Sequence, residues 1–180
     1  MVIHFIGLGG VGKTTTAKLL ALKMNIPYFD LDEYFIENKG SIAQFIDQHG
    51  YDDYAKRNLE LYFQIKNLIS GKAKTIIVCS SGFMSYPENI VHEYLELKQY
   101  IENDQFTFLL MPSFDVEECV EIIVKRQMAR TYLNAVAEKE EVKIRKRFEL
   151  YKKLKCKQII TGTLPVNVVD EIQVKLLKLI

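Results

Sequence analysis

The sequence lacks an excess of charge of either sign. Its 180 residues include 24 lysines and arginines and 23 aspartates and glutamates, which leaves a formal net charge of +1. Proteins that grip the phosphate backbone of nucleic acids carry a basic excess or a basic stripe on one surface. We therefore expect no nucleic-acid partner for this chain.

Long apolar runs and paired cysteines are also missing. No run approaches the roughly 18 apolar residues that a membrane-spanning helix needs. The apolar start at residues 1–6 ends in glycines and has no charged leader, unlike a signal peptide. The three cysteines lie far apart without CxxC spacing, which is typical of reduced thiols in a cytosolic protein. We expect a monomeric cytoplasmic protein with no membrane partner.

Short apolar runs alternate with helical patterns along the whole chain. The alternation predicts an α/β fold, a five-stranded parallel sheet flanked by helices on both faces, built by residues 1–180 as a single domain. The predicted strands are Val2–Ile6, Pro27–Asp30, Thr75–Cys79, Phe106–Met111 and Gln158–Thr161. The predicted helices are Lys13–Met24, pieces of 32–70 broken near Gly40 and Gly50, Pro87–Asn103, Asp115–Met128, Asn134–Lys155 and Pro165–Leu179. Ligands of such sheets bind at the carboxyl ends of the strands.

A glycine-rich segment joins the first strand to the first helix. Residues 7–14 read Gly-Leu-Gly-Gly-Val-Gly-Lys-Thr and fit the phosphate-binding pattern G-x-x-x-x-G-K-[ST] in the required strand-to-helix context. The glycines allow positive φ angles that turn N–H groups toward phosphate oxygens, and the helix N-terminus adds its dipole. Lys13 is expected to reach the β- and γ-phosphates, and Thr14 to ligate Mg²⁺. The expected nucleotide-binding residues are Gly9, Gly10, Val11, Gly12, Lys13, Thr14 and Thr15.

An acidic residue is missing where such folds often hold their magnesium ion. The third strand ends in Cys79, with cysteine in place of aspartate. A carboxylate then comes from elsewhere, or phosphates, Thr14 and water hold the ion alone. Asp30 and Asp32 are the nearest candidates, because residues i and i+2 at the end of a strand face the same way. We expect one of them near the metal and the other near the substrate, and the role of helix N-cap stays open for Asp32.

Three segments together resemble the shikimate kinase family. They are residues 7–21, the run 26–34 that reads Ile-Pro-Tyr-Phe-Asp-Leu-Asp-Glu-Tyr, and residues 40–43, which read Gly-Ser-Ile-Ala. The likeness is close over roughly the first third of the chain and diffuse later. It implies a fold like that of the nucleoside-monophosphate kinases. It also implies transfer of the γ-phosphate of ATP·Mg²⁺ to the 3-hydroxyl of shikimate.

The resemblance implies roles for individual residues. Asp30 matches the acid near the magnesium ion, and Asp32 matches the aspartate that holds the reacting hydroxyls, as base or as orienting group. Arg57 opens an Arg-x-x-Glu motif in the substrate-binding helical segment 32–70, and Arg147 opens an Arg-x-x-x-Tyr motif. The family uses both arginines to grip the substrate carboxylate, for which the guanidinium fork is suited. A surface position is the alternative for each arginine.

Two departures from the family pattern concern the substrate and the lid. Three glycines that lie against the substrate are replaced by Ser80-Ser81-Gly82, in which Gly82 keeps the substrate-binding role. The added side chains narrow the pocket or change its polarity. The expected lid, residues 126–138, lacks the usual Arg-Pro-Leu-Leu. Arg130 is the candidate lid arginine on the phosphates, with Arg126 at the base, and an arginine at a helix C-terminus is the alternative.

The combined features predict an ATP-dependent phosphotransferase that acts on a hydroxyl of shikimate or a similar small hydroxy acid. The expected catalytic residues are Lys13, Asp32 and Arg130. Two alternatives stay open, namely a kinase of the same fold for another acceptor, such as a sugar acid or a nucleotide, and a nucleotide-binding protein without transfer activity. The two serines favour another acceptor, whereas the set of Asp32 and the two arginines favours shikimate.

Overall fold

Five parallel strands form one sheet in the computed structural model, which describes residues 1–71, 74–129 and 136–179. The strands are β1 (Val2–Ile6), β2 (Tyr28–Asp30), β3 (Thr75–Val78), β4 (Thr107–Met111) and β5 (Lys157–Ile160). Their order across the sheet is β2-β3-β1-β4-β5, and each neighbouring pair is parallel. The predicted five-stranded parallel sheet is therefore confirmed. Its central strand carries the glycine-rich segment at its carboxyl end.

Helices cover both faces of this sheet. Every residue of β3 and β4 is buried, and so are residues 3–6 of β1. Successive residues of a strand point to opposite faces, so uninterrupted burial means that both faces are packed. Helix α1 (Lys13–Met24) packs against α8 (Pro165–Leu177) and against β1 and β3, while α5 (Tyr94–Asn103) packs against β4.

Three helices connect β2 to β3, and they surround the carboxyl end of the sheet. They are α2 (Leu31–Lys39), α3 (Ile42–His49) and α4 (Tyr51–Leu68). Gly40 and Gly50 separate them with φ angles of 82° and 84°, which only glycine adopts without strain. The predicted breaks at both glycines are confirmed.

The segment between β3 and α5 differs from the prediction. The expected helix from Pro87 to Asn103 begins only at Tyr94, after a single 3₁₀ turn at Phe83–Ser85. The Tyr94 hydroxyl donates to the carbonyl of Phe83 at 2.6 Å and accepts from the N–H of Tyr86 at 3.1 Å. Between these bonds and α5 the chain forms two turns, in which the N–H of Ile90 donates to Pro87 and that of Tyr94 donates to Val91, in place of a continuous helix.

The remaining helices are α6 (Val116–Met128) and α7 (Ala137–Lys152). The Asp115 carboxylate accepts from the N–H of Glu118 at 3.0 Å and caps α6. In the described part of the chain, no helix has both the length and the apolar character needed to cross a membrane. Cys79, Cys119 and Cys156 are free thiols.

Candidate functional site

The glycine-rich segment forms a tight loop between β1 and α1. Gly7, Gly10 and Gly12 have φ angles of 142°, 79° and 98°, as expected for a loop that turns its N–H groups inward. Gly9 does not have a positive φ, so the predicted reason for this glycine is wrong. Its small size matters instead, because a Cβ atom there would lie 3.0 Å from Nε2 of Gln127.

Lys13 is buried in this loop at the start of α1. Its ammonium group donates to the carbonyls of Gly7 and Leu8 at 2.8 and 2.9 Å. The first turn of α1 itself contains no acidic residue that would oppose an anion at the positive end of the helix dipole. The loop borders a cavity of about 210 Å³, which we call the P-loop cavity. It is lined by Gly9, Gly10, Gly12, Lys13, Thr14, Thr15, Asp30, Asp32, Val78, Ser81 and Gln127.

A short hydrogen bond joins α1 to the end of β2 in this cavity. The Thr14 hydroxyl donates to Oδ2 of Asp30 at 2.6 Å. Oδ1 of Asp30 accepts from the N–H groups of Asp32 and Glu33 at 2.9 and 3.3 Å, so Asp30 is the N-cap of α2. The capping role considered for Asp32 is therefore wrong. Burial raises the pKa of Asp30, and the nearby Asp32 charge adds to the rise, although the Thr14 hydrogen bond acts against it.

The pair of Thr14 and Asp30 has donors suited to magnesium. A hydroxyl and a carboxylate are the hard oxygen ligands that Mg²⁺ prefers. Among the described residues, no group of three or more His, Cys, Asp and Glu side chains is arranged to hold a metal ion by itself. Cys79 is not a substitute ligand, because burial raises the pKa of its thiol and keeps it protonated. A magnesium ion here would need phosphate and water oxygens to complete its coordination.

Asp32 lies in the first turn of α2 and not in the strand, so the argument from alternation along a strand does not apply to it. Asp30 and Asp32 nevertheless both line the P-loop cavity. Ser80 donates to Oδ1 of Asp32 at 2.6 Å, and the Tyr54 hydroxyl donates to the same oxygen at 3.3 Å. Oδ1 of Asn58 is 3.1 Å from Ser80, but the single serine proton goes to the carboxylate, the stronger acceptor. Burial raises the pKa of Tyr54, so its hydroxyl keeps its proton. Asp32 is thus fixed from two sides through one of its oxygens.

A second cavity, of about 340 Å³, opens beside the P-loop cavity, and we call it the tyrosine cavity. Its walls combine apolar and aromatic side chains with acids and bases. It is lined by Leu8, Gly9, Asp32, Ile42, Ile46, Tyr51, Tyr54, Ser81, Gly82, Gln127, Glu140, Lys143, Ile144 and Arg147. Gly9, Asp32, Ser81 and Gln127 border both cavities. The two spaces therefore meet at these four residues.

Arg147 of α7 reaches into the tyrosine cavity. Its guanidinium donates to the Tyr51 hydroxyl at 3.0 Å and to Oγ of Ser81 at 3.3 Å, and it lies over the Tyr51 ring at 5.9 Å. A Cβ atom on Gly82 would lie 2.1 Å from the Tyr51 hydroxyl and 3.2 Å from the Arg147 guanidinium. The structure thus brings Asp32, Gly82 and Arg147 together around one cavity.

Arg57 is not part of this group. It lies on the exposed face of α4, where it forms an ion pair with Glu60, and it lines neither cavity. The inward face of this helix turn carries Ala55 and Asn58, which are fully buried. The structure therefore does not bring the two predicted substrate arginines to one place.

Sequence reasoning missed three side chains near Asp32, namely Tyr51, Tyr54 and Asn58. The helical spacing of the tyrosines with leucine and isoleucine predicts packing in the core or at its rim. With Tyr51 as the first position of the helix after Gly50, however, Tyr51, Tyr54 and Asn58 follow the i, i+3, i+7 spacing of one helix face. This spacing was the available signal that the tyrosines and the amide face the same crevice.

A third cavity, of about 350 Å³, lies on the other side of the loop, and we call it the Arg126 cavity. Arg126 donates to the carbonyl of Thr161 at 2.8 Å. This cavity shares Gly10, Gly12 and Thr15 with the P-loop cavity. It is lined by Gly10, Val11, Gly12, Thr15, Thr16, Arg126, Ala129, Thr161, Thr163, Pro165 and Val168. Arg130, the candidate lid arginine, lies outside the described residues.

Comparisons of the sequence and of the fold with known proteins point to the same family. A family model described as shikimate kinase matches residues 9–177. Shikimate kinase from Streptococcus suis is 29% identical over 156 residues, which cover 86% of each chain. The chain spans only 6% of the pentafunctional AROM polypeptide of Pneumocystis carinii, at 32% identity over 97 residues, and about half the length of several other matching shikimate kinases. Shikimate kinase from Bacteroides thetaiotaomicron has a similar fold, with a TM-score of 0.73, 17% identity and 98% of both chains covered.

Proposed function

Because the chain belongs to the shikimate kinase family, we propose that it is an ATP-dependent kinase for a small hydroxy acid, with shikimate as the first candidate acceptor. The observation that carries this proposal is the position of Asp32, which borders both the P-loop cavity and the tyrosine cavity. A phosphate donor in the first and a hydroxyl acceptor in the second would meet at this carboxylate.

The nucleotide is proposed to lie across the loop. Its phosphates enter the P-loop cavity, where the inward N–H groups and the start of α1 stabilise negative charge. Its base enters the Arg126 cavity, which shares part of the loop with the phosphate side. Lys13 exchanges the carbonyls of Gly7 and Leu8 for phosphate oxygens when the nucleotide binds.

Thr14 and Asp30 would hold the magnesium ion of the nucleotide. Their oxygens lie 2.6 Å apart at the edge of the P-loop cavity, which supports this assignment. The ion supplies positive charge next to the phosphates. Asp30 keeps its oxygen in place through the backbone N–H groups at the start of α2.

The acceptor is proposed to bind in the tyrosine cavity. Ser80 and Tyr54 occupy Oδ1 of Asp32, so the other carboxylate oxygen is available to accept a hydrogen bond from the acceptor hydroxyl. Arg147 provides the positive charge for an acid group at the other end of the molecule. Asp32 orients the hydroxyl, and takes its proton when the phosphoryl group is transferred. Positioning and charge stabilisation supply most of the rate in reactions of this kind.

A second candidate is a kinase of the same fold with another acceptor, such as a sugar acid or a nucleotide. The outward position of Arg57 favours it, because only one of the two expected arginines reaches the cavity. The hydrogen bond from Ser80 to Asp32 also changes the polarity beside the reacting carboxylate.

The test is a coupled assay of ADP release with a panel of acceptors. The purified chain is incubated with Mg·ATP and shikimate, gluconate or nucleosides, and each rate is compared with a blank without acceptor. Stimulation by shikimate supports the first candidate, whereas stimulation by another compound alone supports the second. Binding of Mg·ATP without stimulation by any acceptor supports a nucleotide-binding protein without transfer activity.

The proposal includes the cytoplasmic location and the monomeric state expected from the sequence. The three free thiols, Cys79, Cys119 and Cys156, are typical of a reducing compartment and support the location. Sedimentation equilibrium of the purified chain measures the oligomeric state, and a mass of twice the chain would contradict a monomer.

A further inference from the structure

Gln127 lies where the P-loop cavity and the tyrosine cavity meet. It belongs to the last turn of α6, and it lines both cavities together with Gly9, Asp32 and Ser81. Only 8% of its surface is exposed. A group at this boundary faces the place through which a phosphoryl group would pass from donor to acceptor.

The side chain lies flat on the glycine-rich loop. A Cβ atom on Gly10 would lie 3.2 Å from Cδ and 3.3 Å from Cγ of Gln127, and one on Gly9 would lie 3.0 Å from Nε2. The absence of side chains at both glycines is what allows this contact. The amide is thereby held close to the backbone that is proposed to bind the phosphates.

Packing does not explain why this residue is an amide. Oε1 is buried without a hydrogen-bond partner, and neither amide atom takes part in the hydrogen bonds found among the described residues. A buried polar group without a partner destabilises the fold, whereas a methionine of similar size would fill the same space without this cost. The amide also carries a donor, Nε2, and a ligand oxygen that accepts from it would gain a hydrogen bond that methionine cannot make.

We propose that Gln127 binds the terminal phosphate of the nucleotide, with Nε2 donating a hydrogen bond to a γ-phosphate oxygen. The inference rests on the proposed nucleotide-binding function. Oε1 is the buried atom, whereas Nε2, a donor only, lies beside Gly9, which borders both cavities. A neutral donor adds to the contacts of Lys13 without a further positive charge. ADP lacks the γ-phosphate, so the contact distinguishes the two nucleotides.

The test compares nucleotide affinities by titration calorimetry without any acceptor. Wild type, Gln127→Met and Gln127→Glu are each titrated with Mg·ADP and with the magnesium complex of the β,γ-imido analogue of ATP. We expect Gln127→Met to weaken the ATP analogue about tenfold and to leave ADP within about twofold. Gln127→Glu should weaken the analogue more, because its carboxylate would face the phosphate charge.

The control is Met128→Gln, which puts an amide on the neighbouring exposed position of α6 and should change neither affinity. Thermal unfolding of each variant verifies that it is folded. Equal losses for both nucleotides, or no loss in either variant, would overturn the inference. Wild type that binds neither nucleotide would instead reject the proposed function, so the two failures are distinguishable.

Discussion

Ser80 donates a 2.6 Å hydrogen bond to Asp32 and thereby links the residues after β3 to the first turn of α2. The bond fixes one carboxylate oxygen of a residue that lines both the P-loop cavity and the tyrosine cavity. Side-chain orientation of this kind matters because small displacements of a reacting group lower the rate strongly.

Asp32→Asn should abolish most of the turnover and leave nucleotide binding intact. The amide can still accept from Ser80, but it cannot take a proton from an acceptor hydroxyl. We expect kcat to fall by about 10²- to 10⁴-fold. Affinity for Mg·ATP should stay the same or rise, because a negative charge near the phosphates is removed. The rates come from the coupled assay, and the affinities come from calorimetry. Asp53→Asn, on the exposed face of α4, is the control and should keep full activity.

Arg147→Lys should raise the KM for the acceptor, whereas Arg57→Lys should not. Arg147 contacts Tyr51 and Ser81 inside the cavity, and lysine cannot reproduce the two-pronged geometry of its guanidinium. Loss of a hydrogen bond to a charged group costs about 1.5–3 kcal/mol, or a factor of about 10 to 140 in KM.

Arg57→Lys is the control for Arg147→Lys, because the two residues have the same side chain and only Arg147 lines the tyrosine cavity. Initial rates are measured across acceptor concentrations at saturating Mg·ATP. A larger KM for Arg57→Lys than for Arg147→Lys would contradict the arrangement described above.

Gly82→Ala should weaken the binding of the acceptor, because the added methyl group displaces Tyr51. The new methyl group would lie 2.1 Å from the tyrosine hydroxyl, so Tyr51 and the guanidinium of Arg147 must move. We expect a rise in the KM for the acceptor of about tenfold or more, since a misplaced binding group loses its contact. Affinity for Mg·ATP should not change.

Removal of the tyrosine hydroxyl provides the control for this substitution. In a Tyr51→Phe background the clashing atom is absent, so Gly82→Ala should raise the KM by a smaller factor than in wild type. This difference is the coupling measured by a double-mutant cycle. An equal factor in both backgrounds would show that the clash is not with Tyr51.

Asp30→Asn should stabilise the chain at neutral pH and weaken Mg·ATP binding. Burial raises the pKa of Asp30, so the folded chain holds this proton more tightly than the unfolded chain does. As the pH rises from the ordinary aspartate value, about 3.9, through the raised pKa, Asp30 therefore lowers the free energy of unfolding. Asparagine does not titrate and still caps α2. Loss of a carboxylate beside Thr14 should lower the magnesium-dependent affinity by about tenfold or more.

Urea unfolding at a series of pH values measures the stability difference between this variant and wild type. The advantage of the variant should grow across that pH window and stay constant above it. The control is Asp170→Asn, which removes an exposed partner of Lys23 and should give no such trend. If the variant loses stability relative to wild type as the pH rises, the pKa of Asp30 is not raised in the folded chain.

The sheet and the phosphate loop were predictable because local patterns specify them. The glycine spacing before Lys13 and the β-branched runs determine the conformation of their own segments. The helix breaks at Gly40 and Gly50 follow from the positive φ angles that glycine adopts without strain. The orientation of Arg57 was not predictable from its motif, because the register of α4 against the core decides which side is buried. Ala55 and Asn58 take the inward positions, and the charged side chain is turned outward. Asp30, and not Asp32, caps α2 because the helix begins at Leu31, directly after β2, and the sequence pattern did not fix that boundary.

The strand order β2-β3-β1 has a consequence for how such a protein changes its substrate. The acid-bearing strand is separated from the loop strand by β3, whose last residues lead directly into Ser80-Ser81-Gly82. Ser80 holds Asp32 by a hydrogen bond, Ser81 and Gly82 line the tyrosine cavity, and of the three only Ser81 also borders the P-loop cavity. Under the proposed function, single substitutions at these positions would alter the binding of the acceptor while the glycine-rich loop, Lys13 and Thr14 stay unchanged.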